Sequence, residues 1–450
     1  MSIRSVTSLY CPSLLRPTLE RIESSPIGYR LASGTFWTMA GAVISRGMML
    51  CATVLVARMM GKSVYGELGM IRSTVGMLGV FAGYGLGLTA TKYVAEFRRN
   101  DTQRAGRIIA LSSIVASIVG AAMAVALCFS ATWLAEHTIN APHLAGMLRI
   151  GGIIVLINAM NGAQTGALAG FEAFKTIAYV NLVVGLISFP VMLVGVYFGG
   201  LKGAVWALAI NLGVNWLLNH IALRRESRHH GVPLTLNHCW DELPILWKFS
   251  LPSLLASIVF TIATWGAQAL LARQIGGYEE LGVYTAAFQW FSVLIFLPGL
   301  LSAVLLPILS DHLGEVSKTQ SVKTTLLAIR INATIVLPIV FLGSLFSPII
   351  MGLYGDTFVG EWATLIAVLC TAGLLALQQP VSQVLHASGY MWIAFTMNCA
   401  WALTLLTTAF FLTPLGSFGL ALAGTISQAV HSIWTFGFVM WLYRTRSANE

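Results

Sequence analysis

Leu55-Val56-Ala57-Arg58-Met59-Met60-Gly61 closes one long apolar stretch, and Leu270-Leu271-Ala272-Arg273-Gln274-Ile275-Gly276 closes another about 215 residues later. Each motif leads through a short connection to a glycine that opens the next stretch, Gly66 or Gly282. Gly200-x-x-Gly203 and Gly416-x-x-Gly419 recur at nearly the same offset. Two independent matches at one spacing point to a chain made from two copies of one unit. Small residues and terminal arginines recur in unrelated membrane bundles as well, but convergence has no reason to set both pairs at a common offset. A parallel duplication of six helices, as in two-lobed secondary transporters, accounts for both.

The stretches around these motifs are membrane spans. Of 450 residues, 57% are hydrophobic and 10% charged, with a mean hydropathy of +0.79. Soluble domains carry about 25% charged residues, so much of this surface must face lipid. A spanning helix takes roughly 20 apolar residues. That window predicts helices over 33–58, 66–91, 107–133, 145–169, 176–198 and 201–223. In the second half it predicts 247–273, 282–310, 324–351, 360–386, 391–413 and 418–443. Backbone groups in hydrocarbon must be satisfied within each segment, which makes the fold all-α. The ten-residue alternation of a membrane β-barrel is not present. The expected architecture is therefore about twelve transmembrane helices in two pseudo-symmetric six-helix lobes around a central cavity.

Basic residues set the orientation. Lys92, Arg98, Arg99, Arg104, Arg107, Lys175, Arg224, Arg225, Arg228, Lys248, Lys318, Lys323, Arg444 and Arg446 fall on the side of Arg4, Arg16, Arg21 and Arg30. Arg58, Lys62, Lys202 and Arg273 fall opposite. By the positive-inside rule both termini are cytoplasmic. The chain divides into a cytoplasmic tail (1–32), a first lobe (33–223), a cytoplasmic linker (224–246), a second lobe (247–443) and a short tail (444–450). The N-terminal tail lacks the compact apolar core of a cleaved signal. Trp133, Trp240, Trp362 and Trp441 fit an interfacial belt.

Charges at hydrocarbon depth are costly and mark function by default. Arg46 falls near the middle of the first predicted helix. Arg72, Arg149 and Arg330 lie a turn or two inside the second, fourth and ninth, where snorkelling to headgroups is an equal alternative. Glu67, Glu172, Asp311 and Glu361 all lie near helix ends, leaving the interior cationic on balance. A guanidinium there can be stabilised by carbonyls, by cavity water or by an anionic substrate, and arginine matches phosphate bidentately. Asn211, Asn215 and Asn219 share one face of the sixth helix, and Gln428 and His431 stand at the corresponding places in the twelfth. Asn158, Asn161 and Gln164, with Gln378, Gln379 and Gln383, extend these stripes, which read either as a polar cavity lining or as interhelical glue.

Other chemistries are excluded or unsupported. The net charge of +9 comes from topology signals, with no recognition motif for nucleic acid. No cysteine pair forms a CxxC, and the six cysteines read as buried small hydrophobes. His386 and His431 lack a second ligand at metal spacing, so no metal and no cofactor is expected. A membrane-embedded polymerase or glycosyltransferase needs acidic residues and a substantial loop. No DxD occurs, and Asp241-Glu242 reads as a helix start before Leu243.

Ser33-Gly34-Thr35, Leu55-Val56-Ala57-Arg58 before Tyr65-Gly66, and Gly85-Leu86-Gly87 with the segment Thr89 to Arg99 form an ordered series. The segment Gln164 to Phe174 and Tyr284-Thr285-Ala286-Ala287 continue it. In order and spacing the chain resembles polysaccharide flippases of the Wzx type, in the superfamily of multidrug and toxin extrusion (MATE) transporters and lipid II flippases. That resemblance implies a multi-pass protein of the bacterial inner membrane. Its substrate would be an oligosaccharide on undecaprenyl pyrophosphate, exported by alternating access for lipopolysaccharide or exopolysaccharide synthesis. It also implies membrane lipids and polysaccharide assembly proteins as partners, with protons or sodium as the coupling ion. Arg46 fits the expected cationic cavity, with Arg72 and Arg149 beside it and Arg330, Asn211, Asn215 and Gln428 as further substrate-binding candidates. The alternatives are a cation or drug antiporter, against which the arginine and missing acid of the first helix argue, and a lipid II flippase, whose fourteen helices exceed twelve. The orientation has a direct test: alkaline phosphatase fused after residue 140 or 355 should be active, and after residue 100 or 230 inactive. The reverse pattern would overturn the topology.

Overall fold

The computed structural model describes the backbone of residues 26–235, 238–245, 251–315, 318–388 and 390–448, with side chains for most of these from Arg46 onward. The expectations placed on residues 1–25 lie outside the described residues. So do those placed on the side chains of Arg30, Lys248, Asp311, Lys318, His386 and Arg446.

Among the described residues the regular structure is helical, without a strand. Pro26–Phe97 is one run interrupted at Gly61, which separates α1 (26–60) from α2 (62–97). Then come α3 (Thr102–Trp133) and α4 (Ala145–Gly170). Phe174–His229 is interrupted at Gly200, giving α5 (174–199) and α6 (201–229). The second half holds α7 (Leu251–Ala272), α8 (Gly277–Glu315), α9 (Lys318–Leu345), α10 (Trp362–Ala387), α11 (Met391–Leu412) and α12 (Gly416–Ala448). A crossing takes roughly 20 residues. The apolar runs 46–97, 174–229 and 392–444, of 52, 56 and 53 residues, are therefore two crossings each.

Helix ends extend past the predicted spans. α1 begins at Pro26 rather than 33, α6 runs to His229 rather than 223, and α8 reaches Glu315 rather than 310. Hydropathy marks where hydrocarbon ends, whereas the backbone keeps its own hydrogen bonds for further turns in water. Arg224, Arg225 and Arg228 thus lie on α6 itself. Asp241-Glu242 closes a 3-10 turn, Cys239–Glu242, ahead of Leu243. Glu242 is buried and paired with Arg104 at 3.0 Å and Arg107 at 3.3 Å. The linker is thereby strapped onto the start of α3.

The glycines that mark the repeat are the ones the backbone requires. Gly61 and Gly276 hold φ of 74° and 70°, and Gly200 and Gly416 hold 52° and 70°, a region costly for residues with a Cβ. The second glycine of each later motif lies against the preceding element. A Cβ on Gly203 would fall 1.8 Å from the Gly195 carbonyl oxygen, and one on Gly419 1.8 Å from that of Leu412.

Packing follows the repeat too. The α1–α2 run lies on α3, α4 and the α5–α6 run, and α4 on α3 and α5–α6. In the second half α10 lies on α8, α9 and α12, and α11 on α7 and α12. The halves meet principally where α1–α2 pack against α7 and α8. At the end where both pairs turn, the backbones touch: a Cβ on Gly66 would fall 1.9 Å from the Tyr278 oxygen, and one on Gly282 2.1 Å from that of Lys62. Lys62 reaches Glu361 at 2.6 Å, and the Tyr278 hydroxyl donates to the Ile139 carbonyl at 2.8 Å. This end of the bundle is shut.

Overpacking costs about 1–3 kcal/mol, so Gly282→Val should weaken the closed end. In a cysteine-free background carrying Thr285→Cys, labelling by an impermeant thiol reagent should rise about tenfold. Unchanged labelling would mean the glycine crossing does not hold the halves together.

Candidate functional site

Between the halves lies a cavity of about 630 Å³. α1 contributes Arg46, Met49 and Leu50, and α2 contributes Gly69, Arg72, Ser73, Gly76 and Met77. α7 supplies Phe260, Thr261, Thr264 and Gln268; α8 supplies Tyr284, Thr285, Phe288, Gln289, Ser292 and Val293. Each helix presents one face, because residues at i, i+3 or i+4 and i+7 align along a helix. Gly69 leaves room for Thr285, whose Oγ1 would lie 2.3 Å from a Cβ at that position.

Arg46 and Arg72 are the charged lining groups, and no carboxylate stands among the described lining residues. Arg46 reaches across the gap: its Nη1 donates to the Ser292 carbonyl at 3.0 Å, and its guanidinium lies 4.1 Å from the Phe296 ring centroid. These contacts hold the side chain without neutralising it. Arg72 is half-buried and makes no hydrogen bond or ion pair with any described residue. Both donors therefore remain available to an anion in the cavity.

The other sequence-derived residues lie elsewhere. Arg149 is exposed and donates to Thr132 at 3.2 Å. Arg330 is exposed on α9 and does not line the cavity. Asn215 accepts from Asn219 at 3.0 Å, and Asn219 also donates to Asn161 and Thr165, both at 3.4 Å. Asn161 donates to the Leu212 carbonyl at 3.1 Å, while the Asn211 Oδ1 is buried without a partner among the described residues. This network ties α4 to α6 within the first half.

Its counterpart ties α10 to α12. Gln428 donates to Gln378 Oε1, which also accepts from Ser432 at 3.0 Å. The Gln378 amide meets His431 Nδ1 and Thr435, both at 3.0 Å. Asn161 and Gln378 occupy matching places in the repeat, as do Asn219 and Thr435. The acids near helix ends are paired: Glu67 with His143 at 2.8 Å, Glu172 with Arg98 at 2.5 Å, and Glu361 with Lys62.

The repeat pointed to the seventh and eighth helices as the second-half wall, but sequence reasoning missed the residues that line it. Its signal was present as two polar stripes, Thr261, Thr264 and Gln268 on α7 and Thr285, Gln289 and Ser292 on α8, each spanning i to i+7. Threonine and serine in membrane helices commonly bond their own backbone, as Thr264 does to the Phe260 carbonyl at 2.9 Å, which makes such stripes look unremarkable.

Residues 31–313 match the family described as polysaccharide biosynthesis protein. The chain is 23% identical to the EPS I polysaccharide export inner membrane protein EpsE of Ralstonia nicotianae, over 91% of this chain and 93% of that protein. It is 26% identical to the lipid III flippase of Escherichia coli strain K12, over 62% of this chain and 67% of that protein. An inward-facing multidrug resistance MATE family transporter of the MOP superfamily superposes with a TM-score of 0.75 at 17% identity. The match covers 91% of this chain and 99% of that one; it speaks for the fold.

Gln378→Leu leaves several buried groups without partners, at about 1–3 kcal/mol each. The variant should melt several degrees lower in detergent, whereas Arg46→Ala should not. Equal melting of Gln378→Leu and the unsubstituted protein would refute the network's role in holding α10 to α12.

Proposed function

Because the chain belongs to the polysaccharide biosynthesis protein family, we propose that it carries a lipid-linked oligosaccharide across the inner membrane for surface polysaccharide assembly. The observation that carries this reading is the cavity between the halves, walled by two guanidinium groups with no carboxylate among its described lining residues. A prenyl pyrophosphate is an anion whose oxygens suit bidentate arginine donors. In hydrocarbon the cost of a guanidinium falls when such a charge or cavity water solvates it.

The mechanism follows from the two halves. The pyrophosphate binds Arg46 and Arg72, while the prenyl tail stays in lipid through the gap bordered by α1, α2, α7 and α8. The halves, 33–223 and 247–443, move as units, and the closed end at Gly66 and Gly282 opens as the opposite end shuts. Both termini lie in the cytoplasm, and the closed end faces outward. Arg149 and Arg330 would serve only at the margins of the path. Asn211, Asn215 and Gln428 act through the packing of α6 and α12. Proton or sodium coupling and contacts with assembly proteins complete the proposal.

The likeness to a multidrug transporter concerns backbone arrangement. A cationic drug would meet like charge in this cavity, which disfavours antiport of cations. The names of the polysaccharide export and lipid III relatives agree with the cavity's sign.

Loss of one charge-assisted contact costs about 1.5–3 kcal/mol, weakening the bound state roughly 10- to 100-fold. Arg46→Ala should abolish surface polysaccharide while the protein remains in the membrane at normal level, and Arg46→Lys should retain part of the export. Normal polysaccharide in the alanine strain would sink the assignment.

A further inference from the structure

The repeat makes the cavity's two walls equivalent in backbone, yet their chemistry is divided. Both cations, Arg46 and Arg72, come from the first half. The second-half wall carries no charged residue among those described; it offers Gln268, Gln289 and Thr285 beside Phe260, Tyr284 and Phe288. Phe288 stacks between Tyr284 and Phe291, with centroids at 5.7 and 4.8 Å. Phe260 is backed by Trp401 at 4.9 Å, leaving its other face to the cavity. Gln268 is half-buried and makes no hydrogen bond with any described residue, so its amide is open to the cavity.

Depth also sets Gln268 and Thr285 apart from the two cations. At about 1.5 Å per residue from the shut end, Gln268 lies about 6 Å in and Thr285 about 12 Å. On the same scale Arg72 and Gln289 lie about 16–18 Å in and Arg46 about 22 Å. The amides and rings thus extend from beside the cations toward the closed end. Amide groups that donate and accept, set among aromatic faces, are the surface that hydroxyl-bearing rings require.

We infer that the second-half wall is a saccharide subsite that reads the sugar next to the pyrophosphate and favours uncharged sugars over uronic acids. A pyrophosphate diester carries two negative charges, which Arg46 and Arg72 balance. A sugar carboxylate near Gln268 would meet no further cation among the described lining residues, and its desolvation would go uncompensated. The subsite rests on the reading of Arg46 and Arg72 as the pyrophosphate site.

The test uses the full chain in nanodiscs and four probes: a prenyl pyrophosphate, bare or bearing glucose, N-acetylglucosamine or glucuronic acid. The protein should bind a neutral-sugar probe more tightly than the bare and glucuronic acid probes. Gln268→Leu should weaken neutral-sugar binding roughly three- to tenfold and leave the bare probe unchanged, with unaltered melting. Equal loss on the bare probe, no loss on either neutral probe, or preference for glucuronic acid would overturn the subsite. Arg46→Ala should weaken all four; full binding of the bare probe by that variant would instead overturn the pyrophosphate site.

Discussion

Arg46 and Arg72 stand in the wall of the cavity without a carboxylate among the described lining residues, and a guanidinium at that depth needs carbonyls, water or an anion to solvate it. That condition keeps the halves apart over much of their facing surface. The contact between them concentrates at the shut end, where glycine lets Gly66 and Gly282 approach the Tyr278 and Lys62 carbonyls. A cavity closed at one end by backbone contact and lined by two cations is the arrangement that a step of alternating access needs.

Duplication supplied the frame but not the chemistry. Gly61 and Gly276, and Gly200 and Gly416, share their unusual backbone conformation, because the reversals are the same element used twice. The cavity walls have diverged: where the first half places Arg72 on α2, the matching stretch of α8 carries Phe288, and Ser73 is answered by Gln289. A substrate with one anionic and one neutral end would favour such divergence, since a symmetric wall would oppose one part of it.

Much of the fold was legible because it rests on composition and spacing. The all-helical membrane fold follows from apolar run lengths, and the paired glycine motifs return as positive-φ reversals in the described helices. Helix ends were less legible, since Arg224 to Arg228 continue α6 in water and give no hydropathy signal. Of the proposed site, Arg46 and Arg72 stood out because a charge in an apolar run is costly wherever it points. Asn215 and Gln428 stood out as uncharged amides aligned on one helix face, and they close networks within their own halves. Nothing in a helical stripe tells which neighbour it will face. The stripes at Thr261 to Gln268 and Thr285 to Ser292 passed unnoticed because hydroxyl groups satisfied by their own helix look inert in sequence.

The two kinds of interface differ in a way that bears on motion. Inside each half the helices are joined by buried amides that have several partners each, such as Gln378 with Gln428, His431, Ser432 and Thr435. Breaking such a network within the bilayer leaves polar groups that lipid cannot satisfy, so each half resists shearing. Between the halves the contacts include single hydrogen bonds such as Trp265 to Thr74 at 3.0 Å, the rim ion pair of Lys62 with Glu361 and the edge-on packing of Tyr65 against Phe358. The hydrogen bonds and the ion pair can be exchanged for water or substrate groups, as the proposed rocking of the halves requires. The polar residues that look most functional in the sequence therefore divide into two classes by partner. Those satisfied within a half give it stiffness, whereas Arg46 and Arg72, which line the cavity between halves, are the ones proposed to meet the passenger.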